Sequence, residues 1–200
     1  MIDKPIIMFY DLETTGVNHM KHCIIQISAI LTQGGSEIDR FEFKVKPHEK
    51  AQIDSEALRA NNLTESEIMR YVDQDVAFKK FRARLHEHVD VYDKRDKIIL
   101  AGYNNSKFDD QFLRMFFTLN GDNYFGSFFH TGSIDVMALA AFVLQDVRYR
   151  MPNFKLHTVA NFLGIDVDLD RLHDANYDVH ITRKIYNKLI NSKMKIQRDL

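Results

Sequence analysis

Phe9-Tyr10-Asp11-Leu12-Glu13-Thr14-Thr15-Gly16 is the most informative part of this sequence, because two carboxylates close an apolar run that begins at Ile6. Alternate side chains of a β-strand share a face, so we expect Asp11 and Glu13 to point the same way and Leu12 to point the other way. Burying two like charges on one face of a central strand is costly unless a cation compensates them. The spacing therefore makes Asp11 and Glu13 candidate metal ligands.

Length and composition indicate one domain with a sizeable core. The chain has 200 residues, of which 45% are hydrophobic and 28% are charged. Its 27 Lys and Arg residues nearly balance its 28 Asp and Glu residues. This balance excludes the basic excess of proteins that coat duplex nucleic acid, so any nucleic-acid contact must be short, local or assisted by metal ions.

The sequence predicts an intracellular, cytoplasmic protein without a membrane partner. Cys23 is the single cysteine, which excludes an intramolecular disulfide framework. No apolar run approaches the roughly 18 residues of a membrane span. The short apolar N-terminal segment lies between Asp3 and Asp11 and lacks the pattern of a signal peptide.

Periodicity predicts an α/β fold in which a mixed sheet is flanked by helices. The first three predicted strands should form an antiparallel meander, and βα units follow them. The predicted strands cover residues 6–13, 24–31, 40–46, 98–101 and 128–134. The longer predicted helices cover residues 77–89, 109–119, 135–144, 156–163 and 175–190. Asp54 and Thr64 should begin shorter helices, and Asp135 should cap the helix that follows it.

Asp178 is expected to point inward from the last predicted helix. It shares a helical stripe that should face the sheet with Ala175, Thr182, Ile185 and Leu189. The alternative is an exposed aspartate in a first helical turn, and the inward stripe argues against that alternative.

A further carboxylate candidate lies where a predicted strand leads into a helix, within residues 104–113. Both Asp109 and Asp110 fit this position. For either one, a simple N-cap role is an equally weighted alternative.

Four carboxylates from strand ends and helix starts suit two divalent cations. Mg²⁺ prefers oxygen ligands and keeps several waters, so few carboxylates per ion suffice. Two ions about 4 Å apart clamp the attacking and leaving oxygens of an in-line phosphoryl displacement. A zinc site fits poorly, because His19, His22 and Cys23 lack a matching second ligand pair.

His173 is the candidate general base for such a reaction. It stands five residues before Asp178, and Asp174 is the better N-cap, which leaves the imidazole free to project toward the carboxylates. The alternative is a loop histidine without a task, since the chain contains 9 histidines.

Together these residues resemble the DEDDh family of 3′→5′ exonucleases, the DnaQ-like group, and most closely its stand-alone exonuclease I-type members. The first family motif, D-x-E-T-x-G, is met by Asp11, Glu13, Thr14 and Gly16. The second motif, N-x-x-F-D-x-x-F-L, is met by Asn105, Phe108, Asp109, Phe112 and Leu113. The third motif, H-x-A-x-x-D, is met by His173, Ala175 and Asp178. The second motif selects Asp109 over Asp110, and Asp174 stands where the related tyrosine branch has its Tyr.

The resemblance implies a ribonuclease H-like fold with a five-stranded mixed sheet flanked by helices. It implies a single exonuclease domain over residues 1–200, with a core at about 5–190 and a basic C-terminal end at 191–200. It further implies two Mg²⁺ ions, for which Mn²⁺ substitutes. Asp11, Glu13 and Asp178 would hold one ion, Asp11 and Asp109 would hold the other, and His173 would act as the general base.

By the same resemblance, the substrate is the 3′ end of single-stranded nucleic acid, with DNA favoured, and the products are 5′-mononucleotides. The implied substrate-binding residues are Leu12, Thr14, Thr15, Gly16, Leu63, Asn105 and Phe108. Leu63 and Phe108 would wedge against the terminal base, whereas core packing is the alternative for Phe108. The family often has His-Gly where this chain has Asn61-Asn62.

Arg148, Arg150 and Lys155, which lie before a predicted helix in an expected active-site loop, are the favoured candidates for a local basic contact with nucleic acid. A solvated loop is the equally weighted alternative for this segment.

Other functions on the same fold stay open. They are an active proofreading module tied to a polymerase, a nucleic-acid-binding module without turnover, and an RNA-trimming exoribonuclease. The corresponding partners are a polymerase or a second copy of the chain, and the corresponding processes are DNA replication and repair.

Overall fold

A five-stranded sheet forms the centre of the protein. The computed structural model describes residues 4–172 and 174–196. Its strands are β1 (Ile6–Thr14), β2 (Ile24–Gln33), β3 (Ser36–Lys44), β4 (Ile99–Gly102) and β5 (Ile134–Asp135), in the order β3-β2-β1-β4-β5. β2 pairs antiparallel with β1 and β3, whereas β4 pairs parallel with β1 and β5. The predicted mixed sheet and its antiparallel meander are therefore confirmed.

Helices connect and flank the strands. They are α1 (Ser55–Ala60), α2 (Glu65–Ile68), α3 (Gln74–His86), α4 (Asp109–Leu119), α5 (Phe125–Phe128), α6 (Val136–Val143), α7 (Leu156–Phe162) and α8 (Ala175–Ile196). Short 3-10 helices cover Asn105–Lys107, Gln145–Arg150 and Leu169–Arg171. α3 ends before the end predicted for it, and α8 extends beyond its predicted end. Within the described part of the chain, no helix is both long and apolar enough to cross a membrane.

Polar side chains begin several helices at the predicted positions. Asp54 accepts a hydrogen bond from the main-chain amide of Glu56 at 2.8 Å, and Thr64 forms a capping box with Glu67. Asp135 accepts bonds from two amides in the first turn of α6. These bonds satisfy amides that have no partner inside the helix, so the three predicted caps are confirmed.

The strand predicted at residues 128–134 is wrong over most of its length. Phe128 ends α5, Phe129 forms an isolated bridge with Ile98, and β5 contains two residues. The ring centroids of Phe125 and Phe129 lie 4.7 Å apart, which holds these aromatic residues in a helical turn against the core. Gly132, with a φ of 83°, interrupts the extended chain before β5.

Helices cover both faces of the sheet and so divide the residues of β1 between two cores. Met8, Tyr10 and Leu12 pack on one face in a core that also contains residues of α3 and α4. Phe9 packs on the other face with Val179 of α8, and residues of α6 and α7 pack with α8. Because side chains alternate along a strand, Asp11 and Glu13 belong to the α8 face, which β1 shares with Phe9.

Candidate active site

Four carboxylates predicted from the sequence come together at the end of β1. Asp11 and Glu13 lie on the strand itself, on its α8 face. Asp178 lies in the first turn of α8 and is 9% exposed. Asp109 is the first residue of α4 and is 5% exposed. β4 runs parallel to β1 and leads into α4, which brings Asp109 to the edge of the sheet where β1 ends.

The inward orientation of Asp178 is confirmed by the burial of its helical stripe. Each member of that stripe is at most 9% exposed, namely Ala175, Asp178, Thr182, Ile185 and Leu189. An exposed aspartate in a first turn is therefore excluded for this position.

Burial and neighbouring charges raise the pKa values of three of the four carboxylates. Burial raises the pKa of Asp11 well above its usual range, and the charges of Asp109, Glu13 and Asp178 raise it further. Burial, together with the charges of Asp178 and Asp109, raises the pKa of Glu13 to about 8. Burial also raises the pKa of Asp109 to about 7. Charge effects of this kind require short separations in a poorly solvated place, so Asp109 and Asp178 belong to one electrostatic cluster with Asp11 and Glu13.

The cluster fits a divalent cation by the chemistry of its donor atoms. Carboxylate oxygens are the ligands that Mg²⁺ and Mn²⁺ prefer, and a cation offsets the repulsion that raises these pKa values. Among the described residues, the ion pairs with Lys, Arg or His do not involve Asp11, Glu13 or Asp109. A hydrogen bond from the side chain of Asn61 lowers the pKa of Glu13, but it carries no charge.

A tighter group of ligand-type side chains lies elsewhere and is already paired. Asp39, Glu87 and His88 are the one set of three in residues 4–172 and 174–191 whose donor atoms all lie within 4.8 Å of one another. The Asp39 carboxylate binds the guanidinium of Arg84 and, at 2.9 Å, Nε2 of His88. Arg84 therefore supplies the positive charge in that group. No three of the four described carboxylates at the end of β1 have donor atoms that all lie within 4.8 Å of one another.

His173, the predicted general base, lies outside the described residues. Its neighbour Asp174 accepts hydrogen bonds from the main-chain amides of Asn176 at 2.9 Å and Tyr177 at 3.4 Å. Asp174 therefore caps α8, as predicted. The catalytic role of His173 and the metal-binding roles of the four carboxylates stay predictions.

The threonines of the first motif use their hydroxyl groups to hold the loop that follows β1. Thr14 Oγ1 donates to the carbonyl oxygen of Gly16 at 2.8 Å, and Thr15 Oγ1 donates to the carbonyl oxygen of Gln52 at 2.7 Å. A Cβ atom at Gly16 would lie 2.6 Å from the ring of His22, so the close approach of this ring requires glycine. These contacts explain the motif structurally, and its predicted contacts with substrate stay predictions.

The other predicted substrate-binding side chains are partly or fully buried. Leu12 is 4% exposed, Leu63 packs in a small apolar cluster beside α1 and α2, and Phe108 lies 4.9 Å from the ring of Phe112. Asn105 has no exposed surface. Leu63 and Phe108 keep some exposed surface, and their predicted contacts with a terminal base stay predictions. The predicted substrate-binding role of Asn105 also stays a prediction.

The sequence interpretation missed a hydrogen-bonded group next to the carboxylates. The hydroxyl of Tyr10 donates to Asp110, which also accepts from Asn105 Nδ2 at 3.1 Å and from Ser133 Oγ at 2.5 Å. The available signal was adjacency, because Tyr10 precedes Asp11 and Asp110 follows Asp109. The choice of Asp109 over Asp110 left the second aspartate without a role.

Asp135 was predicted as a helix cap, and its carboxylate also accepts hydrogen bonds from the turn that follows β4. Besides capping α6, its carboxylate accepts from the main-chain amide of Asn104 at 3.0 Å and from Ser106 Oγ at 2.7 Å. Asn104 has a φ of 62°, a left-handed conformation that asparagine tolerates. Asp135 thus fixes the turn that leads from β4 to Asp109.

The basic segment lies on the 3-10 helix Gln145–Arg150 and the loop after it. The guanidinium of Arg148 lies 4.6 Å from the ring centroid of Phe154, and that of Arg150 lies 5.5 Å from the ring centroid of Phe162. These cation–π contacts orient both arginines. Their contact with nucleic acid stays a prediction.

Comparison with known families and proteins matches this arrangement. The model of the family RNase_T, described as exonuclease, matches residues 8–186. The chain is 26% identical over 190 residues to the DNA polymerase III PolC-type of Bacillus cereus. The aligned region covers 95% of this chain and 12% of the polymerase.

Solved structures confirm the predicted ribonuclease H-like fold. E. coli exonuclease I in complex with a dT13 oligonucleotide matches with a TM-score of 0.75 at 23% identity, over 98% of this chain and 43% of that one. The zinc-bound form of the E. coli exonuclease I complex with single-stranded DNA matches with a TM-score of 0.73 at 22% identity, over 98% and 42% of the two chains. The chain therefore spans less than half of exonuclease I and about one eighth of the polymerase.

The family match covers all four carboxylates and the three motifs that contain them. With a five-stranded mixed sheet, helices on both faces and these carboxylates at the end of its central strand, the chain belongs to the exonuclease family, within its DnaQ-like group.

Proposed function

We propose that the protein is a metal-dependent 3′→5′ exonuclease that hydrolyses phosphodiester bonds at the 3′ end of single-stranded nucleic acid, with DNA favoured, and releases 5′-mononucleotides. One observation carries the proposal. Four buried or half-buried carboxylates from β1, α4 and α8 come together, and the charges of Asp109 and Asp178 raise the pKa values of both Asp11 and Glu13. A buried cluster of like charges is costly unless it serves to bind cations.

Asp11, Glu13, Asp109 and Asp178 would hold two Mg²⁺ ions, and Mn²⁺ would substitute for them. When bound, such ions stabilise the negative charge that develops on the attacking and leaving oxygens of phosphoryl transfer. Asp11 would contribute to holding both ions, because the charges of the other three carboxylates all act on it.

The remaining steps belong to the chain's own residues. His173 takes the proton from the attacking water, since it precedes Asp178 by five residues and Asp174 takes over the cap of α8. The main chain from Leu12 to Gly16 receives the terminal nucleotide. Leu63 and Phe108 pack against its base, a contact that tolerates any base.

DNA is the favoured substrate because of what the similar proteins bind. Exonuclease I structures contain DNA oligonucleotides, and the PolC-type relative is a DNA polymerase. The polymerase similarity also favours a second candidate, a proofreading module that acts with a polymerase partner.

The experiment is digestion of 5′-labelled and 3′-labelled single-stranded DNA and RNA in the presence of Mg²⁺. We expect DNA to be shortened from its 3′ end by the wild type and to stay intact with Asp11→Ala. Asp166→Ala, which changes an exposed loop aspartate, is the matched control and should digest DNA normally. Activity that survives in Asp11→Ala would refute the metal assignment. Faster digestion of RNA would favour an exoribonuclease, and tight binding without digestion would favour a module without turnover.

A further inference from the structure

A hydrogen bond between a buried tyrosine and a half-buried aspartate links the strand and the helix that carry two of the candidate metal ligands. Tyr10 on β1, which is 1% exposed, donates through its hydroxyl to Oδ1 of Asp110 on α4. Tyr10 directly precedes Asp11, and Asp110 directly follows Asp109. The bond therefore joins the nearest chain neighbours of two carboxylates that lie 98 positions apart in the sequence.

The Asp110 carboxylate also binds two other segments of the same region. Oδ1 accepts a second bond from Asn105 Nδ2 at 3.1 Å, in the 3-10 helix before α4. Oδ2 accepts a bond from Ser133 Oγ at 2.5 Å, just before β5. Hydrogen bonds to this one carboxylate thus connect β1, the turn before α4 and the segment just before β5.

The beginning of α4 depends on this arrangement because it has no ordinary cap. Phe108 occupies the N-cap position and makes no side-chain hydrogen bond there. A helix start without a capping side chain is free to fray, since its first amides lack partners. The bonds to Asp110 hold the first turn of α4 from the side of β1 instead.

Strand geometry explains how the hydrogen bond from Tyr10 to Asp110 influences the candidate site. Tyr10 points to the α4 face of β1, and Asp11 points to the α8 face. Because consecutive residues of a paired strand move together, a shift of Tyr10 displaces Asp11. The same holds for Asp110 and Asp109 in the first turn of α4.

We infer that Asp110 is a positioning residue that, through Tyr10, Asn105 and Ser133, sets the separation of Asp11 and Asp109 for the binding of divalent cations. The inference rests on the proposed function, because it takes Asp11 and Asp109 as ligands. Asp110 does not touch the cations; it acts through its neighbours, as outer partners of metal ligands do.

The test compares Tyr10→Phe, Asp110→Asn and Asp110→Ala with the wild type. Mn²⁺ binding is measured by calorimetry without substrate, and kcat and KM are measured on single-stranded DNA. Tyr103→Phe is the matched control, since Tyr103 also donates a partly buried hydrogen bond through its hydroxyl, at 2.8 Å to the carbonyl oxygen of Phe154. The acceptor residue, Phe154, lies in the loop before α7, whereas the carboxylates lie on β1, α4 and α8.

We expect Asp110→Ala and Tyr10→Phe to weaken Mn²⁺ binding by roughly tenfold or more, as the loss of outer partners of metal ligands does. For Tyr10→Phe we also expect kcat to fall while KM stays constant, because Tyr10 is buried and is not one of the proposed substrate-binding residues. Asp110→Asn keeps the shape and an acceptor oxygen for Tyr10, so it should lose less binding than Asp110→Ala. Tyr103→Phe should bind Mn²⁺ like the wild type.

If Tyr10→Phe binds Mn²⁺ with the same affinity as Tyr103→Phe, the inference is overturned. The hydrogen bond between Tyr10 and Asp110 would then have a purely structural role. If Asp110→Ala does not fold, Tyr10→Phe and Asp110→Asn decide the question. Failure of the proposed function looks different, because the wild type would then bind Mn²⁺ but digest no substrate. In that case the comparison of Mn²⁺ affinities still supports or overturns the inference.

Discussion

Asp178 in the first turn of α8 lies close enough to Glu13 at the end of β1 to raise the pKa of the Glu13 carboxyl. Burial is the largest cause of this shift, and Asp178 is the largest charged contributor to a pKa of about 8. The residues are far apart in the sequence, and the packing of α8 on the sheet brings them together. Their relationship has consequences for stability, for cation binding and for catalysis.

The metal-free protein should lose stability as the pH rises from about 5 to about 8. Glu13 and Asp109 have folded-state pKa values of about 8 and about 7, above their ordinary values of 4.5 and 3.8. The folded state therefore binds more protons than the unfolded state in this range. The stability that these groups contribute is fully present below their ordinary pKa values and is lost as the pH rises through the folded values. Urea denaturation in EDTA at several pH values measures the effect.

Glu13→Gln is the control for that pH dependence, because other groups also titrate between pH 5 and 8. The variant should lose less stability than the wild type over this range. A wild type whose stability, relative to Glu13→Gln, rises toward pH 8 would contradict the expected sign.

Asp11→Asn should stabilise the metal-free protein while abolishing nuclease activity. The substitution removes a charge whose carboxyl has a pKa raised by burial and by the charges of Asp109, Glu13 and Asp178. Stability gained by removing a functional group is a common trade-off at active sites. If about 1 kcal/mol of repulsion is relieved, the Tm in EDTA should rise by about 2–4 °C. An unchanged or lower Tm would indicate that Asp11 is not repelled by its neighbours.

Asn62 should be replaceable by glycine but not by valine. Its φ of 52° lies in the left-handed region, which asparagine and glycine tolerate and β-branched residues do not. Asn62→Val should therefore lower the free energy of unfolding by about 1–2 kcal/mol. Asn62→Gly is the matched variant and should stay close to the wild type in chemical denaturation. Equal stability of the two variants would show that the left-handed conformation is not retained.

The double change of Arg148 and Arg150 to Ala should raise KM for single-stranded DNA. If both arginines neutralise phosphates, the slope of log KM against log salt should flatten by about 1.4, since each contact to a single strand contributes about 0.7. Lys80→Ala, at an exposed position on α3, is the control and should not change the slope. Unchanged kinetics in the double variant would assign the two arginines to packing on Phe154 and Phe162 alone.

Local patterns predicted the central elements because their residues are close in sequence. Apolar runs predicted β1 and β2, and the alternation of apolar and charged residues predicted β3. The helical stripe predicted that Asp178 points inward. The bond from Tyr10 to Asp110 joins residues 100 positions apart, so no local spacing indicates it. The apolar run around Phe128 was mistaken for a strand, because a short apolar run fits a buried helical turn equally well.

The central claim is tested most directly by digesting two 5′-labelled DNA oligonucleotides, one with a free 3′ hydroxyl and one with a blocked 3′ end. In Mg²⁺ the free end should be shortened one nucleotide at a time. The blocked oligonucleotide should stay intact, and EDTA should stop the reaction. Internal cleavage, equal digestion of both oligonucleotides or activity in EDTA would contradict a metal-dependent 3′→5′ exonuclease.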